Sequence, residues 1–119
     1  LKELEEEKNR LRALENPPHN FYYEAPTVVI LSADSDFRWS TLDAGIAVEN
    51  MALAAEGLGL GSLIIGCIYD ALRGEKKDYF AKALKFPANY RYEIAIAFGR
   101  KAMTKEPHTY NADAQITRL

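Results

Sequence analysis

The sequence is poor in the residues that most site chemistry needs. It holds one cysteine, Cys67, so no internal disulfide can form, and this usage is expected of an intracellular chain. It holds two histidines, His19 and His108, far apart and without neighbouring ligands at a useful spacing, so no metal site is expected. Neither sign of charge dominates. The 15 Lys and Arg stand against 17 Asp and Glu, a net charge of −2, and nothing electrostatic selects nucleic acid or an anionic membrane. No apolar run fits a membrane span, because Glu56 and several glycines break the longest weakly polar stretch, Leu53 to Tyr69. The chain opens on Leu1, and no signal-peptide pattern is present, so a processed or shortened cytoplasmic chain is expected.

What is present suits one small domain over residues 1–119, with 48% apolar and 27% charged residues. Residues 1–15 read as a charged amphipathic helix, with Leu1, Leu4, Leu11 and Leu14 on one stripe and Glu6 able to pair with Arg10. Asn16-Pro17-Pro18 stops it. The run Thr27-Val28-Val29-Ile30-Leu31 predicts a strand over 26–33, covered on both faces. Ser62 to Gly66 reads as a short buried strand, Glu75 to Lys85 as a helix burying Phe80, Ala83 and Leu84, and Tyr90 to Gly99 as a strand. In that last strand Tyr90, Tyr92, Ile94, Ile96 and Phe98 are expected on one face, with Arg91, Glu93, Ala95 and Ala97 on the other. Residues 100–119 form a polar tail whose end, Gln115 to Leu119, could add an edge strand. Pattern alone gives a three-layer α/β or α+β domain.

The helix over 41–57 is the most informative element. Ser40 reads as its N-cap, with Asp43 completing a capping box, and Gly57 and Gly59 as its left-handed stop. Small residues (Ala44, Gly45, Ala47, Ala52, Ala54, Ala55) are spread around the cylinder among Leu42, Ile46, Met51 and Leu53. A helix apolar all round must be buried all round. So short a chain has little to cover it with, and a second subunit is the economical answer.

The glycine-rich stretch "GLGLGSLIIG", Gly57 to Gly66, invites a phosphate-loop reading. The order is wrong for one. Dinucleotide loops run from strand to helix, so that phosphate meets a helix N-terminus, whereas here the glycines follow a helix C-terminus. Gly66 differs, because a glycine at a strand end lets a flat ligand lie close. Asp34-Ser35-Asp36 resembles the start of a calcium loop but lacks the later ligands, and reads as a solvated turn. Cys67 reads as packing and Ser62 lies in no nucleophile elbow. Phe21, Tyr22, Tyr23 and Trp39 read as core or interface. Arg100, Lys101 and Lys105 form either a solvated turn or an anion-capturing group.

Three segments together carry a resemblance. "FYYEAPTVVILSAD", "DAGIAVENMALAAEGLGLGSLIIG" and "FPANYRYEIAIAFGRK" are similar to the F-Y-x-A-P-x-V-I strand, the central helix-turn-strand and the L-P-x-G-Y strand of the FMN-dependent nitroreductase family. The similarity covers residues 21 to 101. It implies an α+β fold, a mixed or antiparallel sheet flanked by helices, and an intertwined homodimer with the central helix at the interface. Two FMN sites would then be shared between subunits. It further implies two-step chemistry, in which NAD(P)H reduces the flavin at N5 and a nitroaromatic, quinone or activated alkene takes the electrons. No acid–base side chain is obligatory for this.

By position, the resemblance puts Ile64, Ile65 and Gly66 beside the isoalloxazine ring, with the amide of Gly66 or Ile65 directed at N5. Leu63-Ile64 stands where the family often has Cys-Trp. Lys101 and Lys105 are the implied phosphate holders, and Arg100 a lesser one. The family's opening Arg-Arg-Ser-type and Ser-x-x-Asn-x-Gln-Pro-type segments have no counterpart, so the chain looks like the C-terminal two-thirds of such a protein. The competing expectation is a dimeric scaffold that binds flavin weakly or not at all. A flavin-fragmenting or dehalogenating branch is a third, but the short Cys67 to Asp78 segment carries no lid signature.

Overall fold

The structure is a computed structural model that describes residues 1–12 and 20–117. Its elements are α1 (Lys2–Leu11), β1 (Thr27–Asp34), α2 (Ser40–Gly57), β2 (Leu60–Ile65), α3 (Tyr69–Arg73), α4 (Lys77–Ala83), β3 (Tyr90–Arg100) and α5 (Ala112–Gln115). The three strands form one sheet in the order β1-β3-β2, and both pairings are antiparallel. The architecture is therefore α+β, and the parallel component of a mixed sheet is absent among the described residues.

Placing β3 in the centre explains the burial of each strand. Ala95, Ile96 and Ala97 are buried, as befits a strand flanked on both sides. β1 was expected to be covered on both faces, but it is an edge strand and is only half-buried from Val28 onward. β2 was expected to be buried and instead exposes Leu60, Leu63 and Ile64, hiding only Ile65. α2 lies against all three strands, while α3 and α4 pack on β3. The main core joins Leu4 of α1, Ile65, Ile68, Leu72, Phe80 and Tyr92 with Ala95 and Ala97.

Tyr92 is on the unexpected face. Leu31 pairs with Ile94 and Ser32 with Tyr92, so Glu93 has no partner on β1 and forms a β-bulge. A bulge inserts one residue and reverses the alternation beyond it. Tyr92 thereby joins the Ala95 and Ala97 core rather than the Ile94 and Ile96 face.

Other local expectations shift for identifiable reasons. Trp39, not Ser40, is the α2 N-cap; Ser40 is inside the helix and donates its hydroxyl to the Asp34 carbonyl at 2.6 Å, tying α2 to β1. Asp43 makes no capping box there, its amide bonding instead to the Trp39 carbonyl. Gly57 is helical, and only Gly59 takes the left-handed conformation, with φ 73°. The helix expected over 75–85 is present as the shorter α4, and α3 precedes it in a stretch for which no helix was expected. Gly74 separates α3 from α4, where a Cβ would collide with the Asp70 carbonyl oxygen. Ala83 is exposed rather than buried. Gln115 closes the short α5, capped by the Asn111 side chain, and Ile116 and Thr117 join no strand, so the expected terminal edge strand is absent among the described residues.

In α1 the leucine stripe fails as well. Leu4 is buried, Leu1 and Leu11 are exposed, and Leu14 and the expected stop at 16–18 lie outside the described residues, as does His19. Arg10 pairs with Glu7 rather than Glu6. Glu7 is the buried anion of this corner, held by Arg10 Nη2 and Lys76 Nζ, each at 2.6 Å. The Arg10 hydrogen bond, then that from Lys76, lowers the Glu7 carboxyl from 4.5 to about 2. A depressed folded-state value gives stability that is present above pH 4.5 and lost as pH falls towards 2. Glu7→Gln should therefore be less stable than wild type at pH 7 and converge with it near pH 2, as read by urea unfolding across that range.

Candidate functional site

The C-terminal end of β2 runs through Ile64 and Ile65 into Gly66, the residues that the resemblance puts beside a flavin ring. Ile65 is buried and anchors the strand in the core, while Ile64 beside it is half exposed. Gly66 follows directly, exposed, and a Cβ built on it meets nothing within 4 Å. The chain therefore leaves the strand with a bare backbone facing open space. Its carbonyl accepts the Tyr69 amide at 3.0 Å, which turns the chain into α3. Cys67, half-buried, packs against the core, and its carbonyl lies 3.5 Å from Arg12 Nη1.

A set of side chains from α2, α3 and β3 surrounds this turn. The Tyr92 hydroxyl, wholly enclosed, donates to the Ile65 carbonyl at 3.0 Å. Burial, with the Cys67 sulfur as a lesser cause, pushes the Tyr92 phenol well above its ordinary value, so it stays protonated and a donor. The Tyr92 carbonyl accepts from Arg73 Nη1 at 2.8 Å, and the Tyr69 ring meets the Tyr92 ring edge-on at 6.4 Å. The Arg73 guanidinium lies 5.2 Å from the centre of the half-exposed Tyr69 ring. The bulge residue Glu93 binds Arg91 Nε at 2.8 Å and takes the Thr41 hydroxyl of α2 at 3.1 Å. The Glu93 hydrogen bond to Arg91 raises that guanidinium above its ordinary value.

The sequence-derived candidates fall into two groups that the structure does not bring together. Ile64, Ile65 and Gly66 form one. Lys101 lies at the other end of β2, where Leu60 pairs with Arg100 and a Cβ on Gly61 would touch the Lys101 backbone at 3.4 Å. Gly61 to Gly66 is five steps of about 3.3 Å, or roughly 16 Å. The Lys101 ammonium is held by Glu56 Oε1 at 2.7 Å. Lys105 sits farther along, exposed in a stretch without regular structure.

Tyr92, Tyr69 and Arg73 were not among the sequence candidates. A signal for α3 was there, since Tyr69 and Arg73 stand four apart in Tyr-Asp-Ala-Leu-Arg. No comparable signal marks the bulge that turns Tyr92 inward. No group of metal-ligating side chains occurs among the described residues; Asp34 and Asp36 are occupied by the Asn89 side chain at 3.0 and 2.8 Å. Nor is any described helix long and apolar enough to cross a membrane. A crevice of about 560 Å³ between α1 and α4 is lined by Glu7, Arg10 and Lys76, whose charges already satisfy one another.

Comparison with known proteins places the fold. No curated protein matches the chain. Among solved structures, a nitroreductase with bound FMN from Desulfitobacterium hafniense matches with a TM-score of 0.83 at 26% identity, over 99% of this chain and 69% of that one. A nitroreductase with bound FMN from Bacteroides fragilis matches with a TM-score of 0.80 at 28% identity, again over 99% and 69%. An FMN-dependent nitroreductase from Clostridium difficile shares the fold at 22% identity, with a TM-score of 0.78 over 100% and 73%. The family model described as "Nitroreductase family" matches residues 1–100, and the chain belongs to that family.

Proposed function

We propose that this chain is an FMN-dependent NAD(P)H oxidoreductase that reduces nitroaromatic, quinone or activated-alkene acceptors. The observation that carries this reading is the side-chain-free surface at Gly66, flanked by exposed Ile64, in a fold whose solved relatives from D. hafniense and B. fragilis hold FMN. When bound, FMN supplies the N5 centre through which hydride passes from NAD(P)H to the acceptor. The chain's part is placement. Ile64 and Gly66 give a flat, apolar bed for the ring, and Ile65 fixes that bed to the core. The Gly66 amide is the donor towards N5. Lys101 and Lys105 are the candidate phosphate holders.

The same reading takes the chain as a homodimer. Leu42, Ile46 and Leu53 of α2 and Leu58 just beyond it are all exposed, and Gly45 of α2 has open space where a Cβ would point. A second copy would cover this face and complete a flavin site shared by two subunits. One observation favours the scaffold alternative: Lys101 already has a carboxylate partner and lies far from Gly66. Anaerobic NAD(P)H addition to the FMN-loaded chain separates the two. The enzyme reading expects bleaching of the flavin bands and their return on adding a quinone or nitroaromatic. Bands that NAD(P)H leaves unchanged would sink it.

A further inference from the structure

The Ile65 carbonyl and the Gly66 amide belong to one peptide unit. In a trans peptide the C=O and N–H point in opposite directions. Tyr92 donates its hydroxyl to that carbonyl from inside the core, at 3.0 Å. The carbonyl is thereby held inward, and the Gly66 N–H is turned the other way, towards the exposed side of the strand end. Hydrogen bonds in series polarise one another, so the same contact strengthens the amide as a donor.

Tyr92 reaches this carbonyl only because of the bulge at Glu93. With unbroken alternation its ring would lie on the Ile94 and Ile96 face, away from the core that Ile65 shares with Ala95 and Ala97. Bulges are frequent beside active sites, where they re-aim a side chain. The Tyr92 backbone is then held by Arg73 on its carbonyl, and its ring by an edge-to-face contact with Tyr69.

We infer that Tyr92 is a positioning residue whose hydroxyl, aimed by the Glu93 bulge, orients the Gly66 amide for hydrogen bonding to the flavin. This rests on the flavin reading above, since it concerns the same strand end.

The test compares wild type, Tyr92→Phe and Tyr79→Phe. The last removes a tyrosine hydroxyl from α4 that bonds Glu3, remote from Gly66. Two readouts are taken: the Gly66 amide and Ile65 carbonyl resonances of the FMN-free protein, and the FMN dissociation constant. Tyr92→Phe should move both resonances and weaken FMN binding about tenfold, the effect of one lost hydrogen bond. Tyr79→Phe should do neither. Resonances and affinity in Tyr92→Phe equal to those of the Tyr79→Phe control overturn the inference, even if Tyr92→Phe melts lower. If Tyr92→Phe does not fold, Arg73→Gln serves, because it releases the Tyr92 backbone and leaves the phenol. A shifted Gly66 resonance there supports the role, and an unchanged one overturns it. Failure of wild type to bind FMN defeats the flavin reading instead, and the FMN-free resonances still decide whether Tyr92 sets the peptide.

Discussion

Gly66→Val is expected to lose FMN while keeping its fold. A Cβ at this position meets nothing within 4 Å, and the backbone is not left-handed there, so valine costs the chain itself little. With the ring placed as proposed, the added methyls would occupy the space it needs, and the strand end is held from retreating because Ile65 is buried and its carbonyl is tied to Tyr92. Displacing a flat ligand by the width of a side chain forfeits most of its contact. The expected loss is at least about 100-fold in FMN affinity, about 3 kcal/mol at 1.4 kcal/mol per tenfold. Far-ultraviolet circular dichroism should match wild type. A variant that stays yellow after gel filtration would refute the placement of the ring at Gly66.

The second large effect concerns the open face of α2. Leu53 is 61% exposed in the single chain, and Ala54 beside it is exposed too. In a two-fold dimer each substitution appears twice. Leu53→Glu removes about 2 kcal/mol of apolar burial per copy and leaves a carboxylate to be desolvated at several kcal/mol more. Together these predict a dimer constant weakened by more than about 1,000-fold, and a monomer in sedimentation velocity at micromolar concentration. Ala54→Phe should act in the same direction by steric means, since a phenyl group fills the close-approach surface. A Leu53→Glu chain that still sediments as a dimer would remove α2 from the interface.

These two residues show what kind of structural information the sequence carries openly. Residues 53 and 66 were identifiable because composition and position speak directly: an α-helix apolar on every side lacks cover, and a glycine at a strand end leaves space. The strands at Thr27–Asp34 and Tyr90–Arg100 were legible for the same reason, each being a run of β-branched or alternating residues. Which strand would be central was not legible, since β1 is as apolar as β3 and only the pairing order makes it an edge. The bulge at Glu93 was hidden because it is a property of two strands in register, not of either alone. Hence Tyr92 was assigned to the wrong face, and its bond to Ile65 could not be foreseen. Lys101 shows the reverse case. Its charge was visible, but its partner, Glu56, is 45 residues away in the chain and close only after folding.

The central claim is that this chain holds FMN at the end of β2. Its most direct test is an absorbance titration of the purified chain with FMN, followed by removal of unbound flavin and a count of flavin per chain. The account predicts one FMN per chain, with a resolved and shifted visible band. A colourless protein after that step, from a chain that is folded and dimeric, would contradict it.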